Sequence, residues 1–245
     1  LTLLLNCSCT EAKMAGNSVK SVRGWQLTTQ TWHSVEARLF ADCSGDSILA
    51  PLTGAEYRWG REGRDEFGED IAPAVADRKT MGMSCLLQLR ETSKPQKFIP
   101  PDWAYVFKTD EELQRRDHGV RGNNFWWIEV GGEGDSIRDT EKCRDELLKI
   151  AFGIWDHIKN RGEHDAENWI LDWLGFLPGK RESRRYEGDH IMTQNDVRSG
   201  GAFPDIVAYG GWSMDDHHPS GFWHKGEPTI FHRAPSPFGI PYRSL

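Results

Sequence analysis

A short basic segment stands out in an acidic chain. Residues 177–190 read LPGKRESRRYEGDH, and six consecutive positions within them carry Lys180, Arg181, Arg184 and Arg185. The chain as a whole has a formal net charge of -7 at pH 7. Arginine keeps its charge at any working pH and binds carboxylates through two parallel hydrogen bonds. The segment indicates a site for a carboxylate or for a cofactor that becomes anionic, and a solvated turn accounts equally well for the charge run.

The conformation of this segment decides which arginines share a face. In an extended chain, Arg181 and Arg185 lie on one face and Arg184 lies on the other. In a helix, all three cluster together. Both conformations concentrate guanidinium groups, so all three arginines are candidate site residues.

A second segment ends a strand-like stretch in a turn of small residues. The stretch from residue 34 to 41 alternates between two faces, one of them apolar, and then runs into the sequence DCSGD. Gly45 lets a planar or phosphorylated ligand approach the backbone, and Asp46 can accept a hydrogen bond from a hydroxyl. Ser44, Gly45 and Asp46 are therefore candidate cofactor-binding residues, with a plain tight turn as the alternative interpretation.

A third segment places two aspartates beside two histidines. Asp215, Asp216, His217 and His218 are residue types that bind metals. Four adjacent residues reach one ion only with severe backbone distortion, and no His-Glu-x-x-His motif accompanies them, so the sequence predicts no metal site. His190, His217 and His218 are instead candidate acids or bases, because an unperturbed histidine titrates near neutral pH.

The elements that must position these groups are predicted from periodicity. Apolar side chains recur on one face of residues 137–160, which predicts a helix, and Ser136 with Asp139 has the spacing of a capping box. Residues 1–44 are predicted as β structure that begins with a short buried strand, LTLLLN. The remaining expectations are a loop with one helical turn at 55–79, strands at 81–91 and 123–132, and a helix or loop at 164–179.

Composition excludes several classes of protein. The negative charge argues against a general nucleic-acid binder, and no apolar run approaches the roughly 20 residues of a membrane helix. Five cysteines without a Cys-x-x-Cys motif argue against a disulfide framework and a zinc ribbon, so we expect mostly buried free thiols. The eleven tryptophans are core residues or stacking surfaces for a ligand.

The segment from Leu39 to Glu62 resembles a strand, turn and helix found in a large bacterial family of FAD-dependent oxidoreductases. In that family a D-[AC]-[TS]-G-D turn precedes a small-residue helix and a G-R-E element. The corresponding residues here are 42–46 and 60–62. Further segments resemble the family's substrate-domain blocks and its return to the FAD domain, at 126–160, 171–190, 207–224 and 240–245.

The resemblance implies an α/β fold, with α+β character in the inserted region. Residues 1–54 would form part of a Rossmann-like FAD-binding domain, residues 55–235 a substrate domain of mixed β-sheet and helix, and residues 236–245 the return to the first domain. The family's N-terminal dinucleotide fingerprint and its C-terminal glycine-rich turn are missing from the sequence. The expectation is a middle portion of the enzyme that is inactive alone and binds FAD weakly or not at all.

The resemblance also implies a reaction, hydride transfer between a small organic substrate and FAD. A positive side chain near the flavin stabilises its reduced, negatively charged form. The substrate, the electron acceptor, the oligomeric state and the compartment, cytoplasm or periplasm, stay open. The resemblance does not assign a role to any one arginine, so Arg181, Arg184 and Arg185 are candidates of equal weight. The residues predicted to bind the cofactor are Ser44, Gly45, Asp46 and Arg184. The residues predicted to be catalytic are Arg181, Arg185, His190, His217 and His218.

Two functions from other classes compete with this one. A carbohydrate-binding or glycan-processing module would use the many tryptophans and carboxylates. A metal-dependent hydrolase would use the segment from Asp215 to His218.

Overall fold

The chain contains both helices and strands, and the strands pair into small antiparallel sheets. A computed structural model describes residues 1–114, 116–227, 229–235 and 237–245. The helices are α1 Leu49–Thr53, α2 Arg64–Phe67, α3 Thr140–Asn160 and α4 Gln194–Arg198, with 3-10 turns at Gly221–Trp223 and Tyr242–Ser244. The strands are β1 Cys7–Ala15, β2 Ser18–Gln26, β3 Thr31–Glu36, β4 Tyr57–Trp59, β5 Met83–Ser84, β6 Leu87–Glu91, β7 Glu129–Val130, β8 Trp169–Leu174, β9 Arg184–Tyr186, β10 Ile206–Gly210, β11 Met214–His217, β12 Thr229–His232 and β13 Phe238–Pro241.

The first three strands form an antiparallel sheet in the order β1-β2-β3. The β structure predicted for this region is therefore confirmed in its central part, but its two ends differ. The apolar run at residues 1–5 is not a buried strand, since Leu1, Leu3 and Leu5 are exposed. The strand predicted towards Ala41 ends at Glu36, where its pairing with β2 stops, and leaves Leu39 89% exposed.

The core packs around helix α3. Its apolar stripe buries Leu147, Ile150 and Ile154 completely or almost so, as the periodicity predicts. Buried side chains from the segment before the helix, including Phe125 and Ile128, belong to the same cluster. Each such side chain contributes about 1.5–3 kcal/mol relative to an exposed one, so this helix is a main support of the core.

The start of α3 differs from the predicted capping box. Ser136 donates its hydroxyl hydrogen to the carbonyl oxygen of Glu182 at 2.7 Å, and the N-cap residue Asp139 makes no side-chain cap hydrogen bond. Asp135 instead accepts hydrogen bonds from backbone N–H groups before the helix: its Oδ1 accepts from Ile137 and Arg138, both at 3.0 Å. The capping-box prediction is therefore wrong.

Three other element predictions also change. The strand predicted at 81–91 divides into β5 and β6, and the one predicted at 123–132 is reduced to the two residues of β7. The segment 164–179, predicted as helix or loop, contains strand β8, which pairs antiparallel with β6. Pairing with a distant segment overrides local propensity here. The loop predicted at 55–79 does contain one helical turn, α2, and also strand β4.

The cysteines are all free, but fewer are buried than the sequence predicts. Cys85 and Cys143 are buried, Cys7 and Cys9 are partly buried, and Cys43 is exposed. Burial raises the pKa of Cys85 to about 12, so this thiol stays protonated and packs as a small apolar side chain. No helix in the described ranges combines the length and the apolar character that crossing a membrane requires.

Candidate active site

The two segments that the sequence singles out for a ligand meet in the structure. Asp46 accepts a hydrogen bond from the Ser183 hydroxyl at 2.7 Å and forms an ion pair with Lys180. Arg184 donates through Nε to the carbonyl oxygen of Asp46 at 2.8 Å. In the opposite direction, Ser47 donates its hydroxyl hydrogen to the carbonyl oxygen of Arg184 at 3.0 Å. The basic segment is therefore attached to the small-residue turn by side chains from both.

The turn itself is organised by one carboxylate. Asp42 accepts from the backbone N–H groups of Ser44 and Leu49 and from the hydroxyl of Tyr186, the last at 2.6 Å. Burial alone would raise the pKa of Asp42, but these hydrogen bonds outweigh it and hold the pKa at about 2. Sequence reasoning used Asp42 only as a motif residue and missed Tyr186.

We expect Asp42→Asn to lower the free energy of unfolding by about 1–2 kcal/mol at neutral pH, because charge-assisted hydrogen bonds are replaced by neutral ones at a partly exposed position. The folded-state pKa of about 2 lies below the ordinary value of 3.8. The stabilisation is therefore complete above the unfolded-state pKa and is lost as the pH falls from about 4 towards about 2. Urea denaturation of both proteins between neutral and acidic pH measures this. A difference that stays constant through that window would contradict the assignment.

Strands β4 and β9 present two faces, and a different cavity borders each. In their antiparallel register, Trp59 lies opposite Arg184, and Arg58 lies opposite Arg185. One face borders a cavity of about 490 Å³, called here the arginine cavity, lined by Tyr57, Trp59, Arg78, Asp135, Ile137, Arg138 and Arg184. The extended conformation therefore separates Arg184 from Arg185, as alternation along a strand requires.

The second cavity, called here the acidic cavity, has a volume of about 410 Å³. Arg185 lies in its wall and donates to the carbonyl oxygen of Gly60 at 2.8 Å and to Glu62 at 2.7 Å. Arg61 is paired with Asp77. Carboxylates outnumber cations in the lining, which contains Arg61, Arg185, Glu62, Glu69, Glu182, Asp215 and Asp216.

Arg181 lies apart from the other two arginines. It donates to the hydroxyl of Ser84 at 3.1 Å and lies 3.9 Å from a carboxylate oxygen of Glu129. Glu129 is buried and also accepts from the backbone N–H of Gly82 at 3.1 Å. Sequence reasoning missed Glu129, although a carboxylate inside the apolar run FWWIEV was a usable signal.

The three candidate histidines occupy three different settings. His190 Nε2 lies 3.1 Å from Asp196 Oδ2, and His217 Nδ1 lies 2.9 Å from Glu129 Oε2. His218 stacks on His224 with ring centroids 3.6 Å apart. Burial, together with His224, lowers the pKa of His218. The structure therefore gives two carboxylate–histidine pairs and does not gather all three rings at one point.

The segment from Asp215 to His218 does not act as a unit. Its first three residues, Asp215, Asp216 and His217, belong to strand β11, where successive side chains point to opposite faces. Asp215 accepts from Trp212 Nε1 at 3.0 Å and from the Ser213 hydroxyl at 2.6 Å. Both donors belong to residues directly before strand β11, so the Asp215 carboxylate is engaged within its own segment of the chain. These contacts give no support to a metal-dependent hydrolase.

A known protein family matches the whole chain. A family model described as FAD dependent oxidoreductase matches residues 1–245, which confirms the resemblance found in the sequence. No curated protein and no solved structure matches the chain. The match spans the small-residue turn, the basic segment and both cavities. The chain therefore belongs to the FAD dependent oxidoreductase family, whose cofactor is FAD.

Proposed function

We propose that the chain is the middle portion of an enzyme that transfers hydride between FAD and a small organic substrate carrying a carboxylate. Residues 1–54 and 236–245 would belong to a Rossmann-like FAD-binding domain, and residues 55–235 to an inserted substrate domain. The observation that carries the proposal is the position of Arg184. It binds the small-residue turn through Asp46 and also lines the arginine cavity.

The turn fits a flavin group. Gly45 has a φ of +78°, and a Cβ built there would meet no heavy atom within 4 Å, so the backbone is uncovered on that side. A planar ring can approach such a backbone closely. Ser44, Gly45 and Asp46 would hold the cofactor together with Arg184, whose charge favours electron-rich flavin. Bound FAD supplies the acceptor or donor of the hydride.

The arginine cavity fits an anionic substrate. Arg78, Arg138 and Arg184 supply three guanidinium groups, which bind carboxylates through paired hydrogen bonds. Tyr57 and Trp59 supply flat aromatic walls. The cavity and the turn share Arg184, so a substrate held here would lie beside the cofactor.

The other predicted catalytic residues would act by positioning or by proton transfer. Arg181 would position Glu129, and Arg185 would position Glu62 at the acidic cavity. His190 would donate its Nε2–H to Asp196 and keep Nδ1 available for a proton. In the same way His217 would bind Glu129 through Nδ1–H and use Nε2, while His218 stays a candidate through its lowered pKa.

The glycan-binding alternative rests on the tryptophans, and the structure buries two of the eleven, Trp127 and Trp155, in the core. Trp103 packs against Phe152 with ring centroids 5.2 Å apart but is 49% exposed. Six tryptophans are exposed in all, so burial in the core accounts for only a small part of the tryptophan count.

The test measures FAD binding by this chain and by the product of the complete gene that encodes it. We expect Arg184→Ala to weaken FAD binding by about tenfold or more, because one hydrogen bond from a charged group contributes about 1.5–3 kcal/mol. Flavin absorption and fluorescence during titration with FAD give the dissociation constants.

The matched control is Arg121→Ala. Arg121 is a largely exposed arginine paired with Glu91, so its loss should leave FAD binding unchanged. Flavin bands in the gene product, reduced on adding a carboxylic acid substrate, support the proposal. Absence of flavin from both proteins after incubation with FAD would refute it. Equal effects of the two variants would remove Arg184 from the cofactor site.

A further inference from the structure

Three histidines and one aspartate converge at a place distant in sequence from the segments discussed above. Asp110 lies in a turn, His118 in the loop that follows, His157 in the last turn of α3, and His164 just beyond that helix. One ligand atom from each residue lies within 4.8 Å of every other. His118 and His157 are buried, and His164 is partly buried.

Two backbone carbonyls orient the buried rings. His118 Nδ1 lies 2.6 Å from the carbonyl oxygen of Arg116, and His157 Nδ1 lies 3.1 Å from that of Phe107. A carbonyl only accepts hydrogen bonds, so each Nδ1 carries the hydrogen. The Nε2 atoms of both rings are thereby turned towards the centre of the group. Histidine ligands of metals are usually held in this way by a carbonyl on their other nitrogen.

The contacts at the centre require a positive charge. His157 Nε2 lies 3.0 Å from Asp110 Oδ1 and 3.1 Å from His164 Nε2. With Nδ1 already protonated, a neutral His157 presents a lone pair to the Asp110 carboxylate, which also presents lone pairs. Such an arrangement is repulsive unless a proton or a metal cation lies between the two atoms.

The spacing of the four ligand atoms favours a metal. Asp110 Oδ1 lies 3.0 Å from the Nε2 atom of His157, 3.7 Å from that of His118 and 3.9 Å from that of His164. In a tetrahedral zinc site with bonds of about 2.0–2.1 Å, ligand atoms are about 3.3–3.4 Å apart. The observed distances lie on both sides of this value, so small movements would complete a tetrahedron.

We propose that Asp110, His118, His157 and His164 form a structural site for Zn²⁺. Nitrogen-rich ligands with one carboxylate suit zinc better than calcium or magnesium. Four protein ligands fill a tetrahedron and leave no open position for a substrate, which is typical of structural rather than catalytic zinc. The ion would fasten the segment from 107 to 118 onto the end of α3.

The sequence alone does not show this site. Asp110 lies 47 positions before His157 and His118 lies 39 positions before it (157 − 118). Neither Asp110 with His118 nor His157 with His164 has the short spacing of a common zinc motif. One usable signal was His157 itself, which lies on the apolar face of α3 between Ile154 and Ile158. A histidine inside a core stripe needs a polar partner.

The experiment compares the metal content and thermal stability of the unchanged chain, two ligand variants and one control variant. Asp110→Asn and His164→Gln alter the two more accessible ligands, and Asp102→Asn changes an exposed aspartate as a matched control. After dialysis against a chelator, each protein is titrated with Zn²⁺ and with Co²⁺. We expect one zinc per chain, an increase in Tm on adding zinc, and the intense visible absorption of tetrahedral Co²⁺ for the unchanged chain and Asp102→Asn.

The two ligand variants should bind zinc at least about 100-fold more weakly, since even outer-shell changes cost 10- to 100-fold. Circular dichroism of the metal-free variants establishes that they fold. Equal zinc binding by all four proteins would overturn the proposal. Lack of stoichiometric zinc in the unchanged chain would overturn it as well and would assign the positive charge at His157 to a proton. Neither result depends on FAD binding.

Discussion

Replacing Arg116 with methionine is expected to lower the free energy of unfolding by about 3–5 kcal/mol. Arg116 is buried, and its guanidinium group donates to the carbonyl oxygens of Trp127 at 3.2 Å and Gly221 at 3.0 Å. Longer contacts reach the carbonyl oxygens of Phe222 and His224. Methionine fills a similar space but leaves these buried acceptors without a donor. Urea denaturation followed by tryptophan fluorescence measures the loss.

The expected loss of stability depends on the groups that the Arg116 guanidinium contacts. Its guanidinium carbon lies 5.6 Å from the ring centroid of Trp127 and 5.7 Å from that of Phe222. Burial lowers its pKa, which measures the cost of keeping a charge there. The exposed Arg121→Met is the control, and it should cost less than about 0.5 kcal/mol. If both variants lose the same stability, the buried hydrogen bonds of Arg116 contribute little.

Local patterns predicted the parts of the fold that local forces determine. The helix at 137–160 was recognisable from its apolar stripe, and the turn at 42–46 from its small residues. Local hydrogen bonds mark the start of both elements, since Asp42 and Asp135 accept from backbone N–H groups a few positions away. Such contacts can be predicted from a short stretch of sequence.

Contacts between distant segments could not be predicted in the same way. Nothing near Asp46 shows that its partner will be Ser183, and nothing near Arg185 specifies Glu62. Strand β8 is another case, because its pairing with β6 decides its conformation. The sequence therefore predicted a site at the basic segment but left open which arginine borders which cavity, and the strand register decides that arrangement.

We expect Gly60→Ala to lower the free energy of unfolding by about 2–5 kcal/mol, the sum of a left-handed backbone and a steric overlap. Gly60 has a φ of +89°, and a Cβ there would lie 2.1 Å from the carbonyl oxygen of Asp77 and 2.6 Å from the Cα of Arg78. Both neighbours are backbone atoms, so no side chain can simply turn away. Chemical denaturation gives the stability difference.

The control for this prediction is Gly45→Ala in the small-residue turn. Gly45 has a similar φ of +78°, but a Cβ there would meet no heavy atom within 4 Å. Gly45→Ala should therefore lower the free energy of unfolding only by the backbone strain, about 1–2 kcal/mol. A larger loss at Gly60 shows that the contact with the Asp77 backbone holds the wall of the acidic cavity. Equal losses of stability in the two variants would mean that the loop around Asp77 moves aside without a cost in free energy.

The same two variants also separate stability from cofactor binding. Because Gly45 would lie against the flavin, Gly45→Ala should weaken FAD binding out of proportion to its small effect on stability.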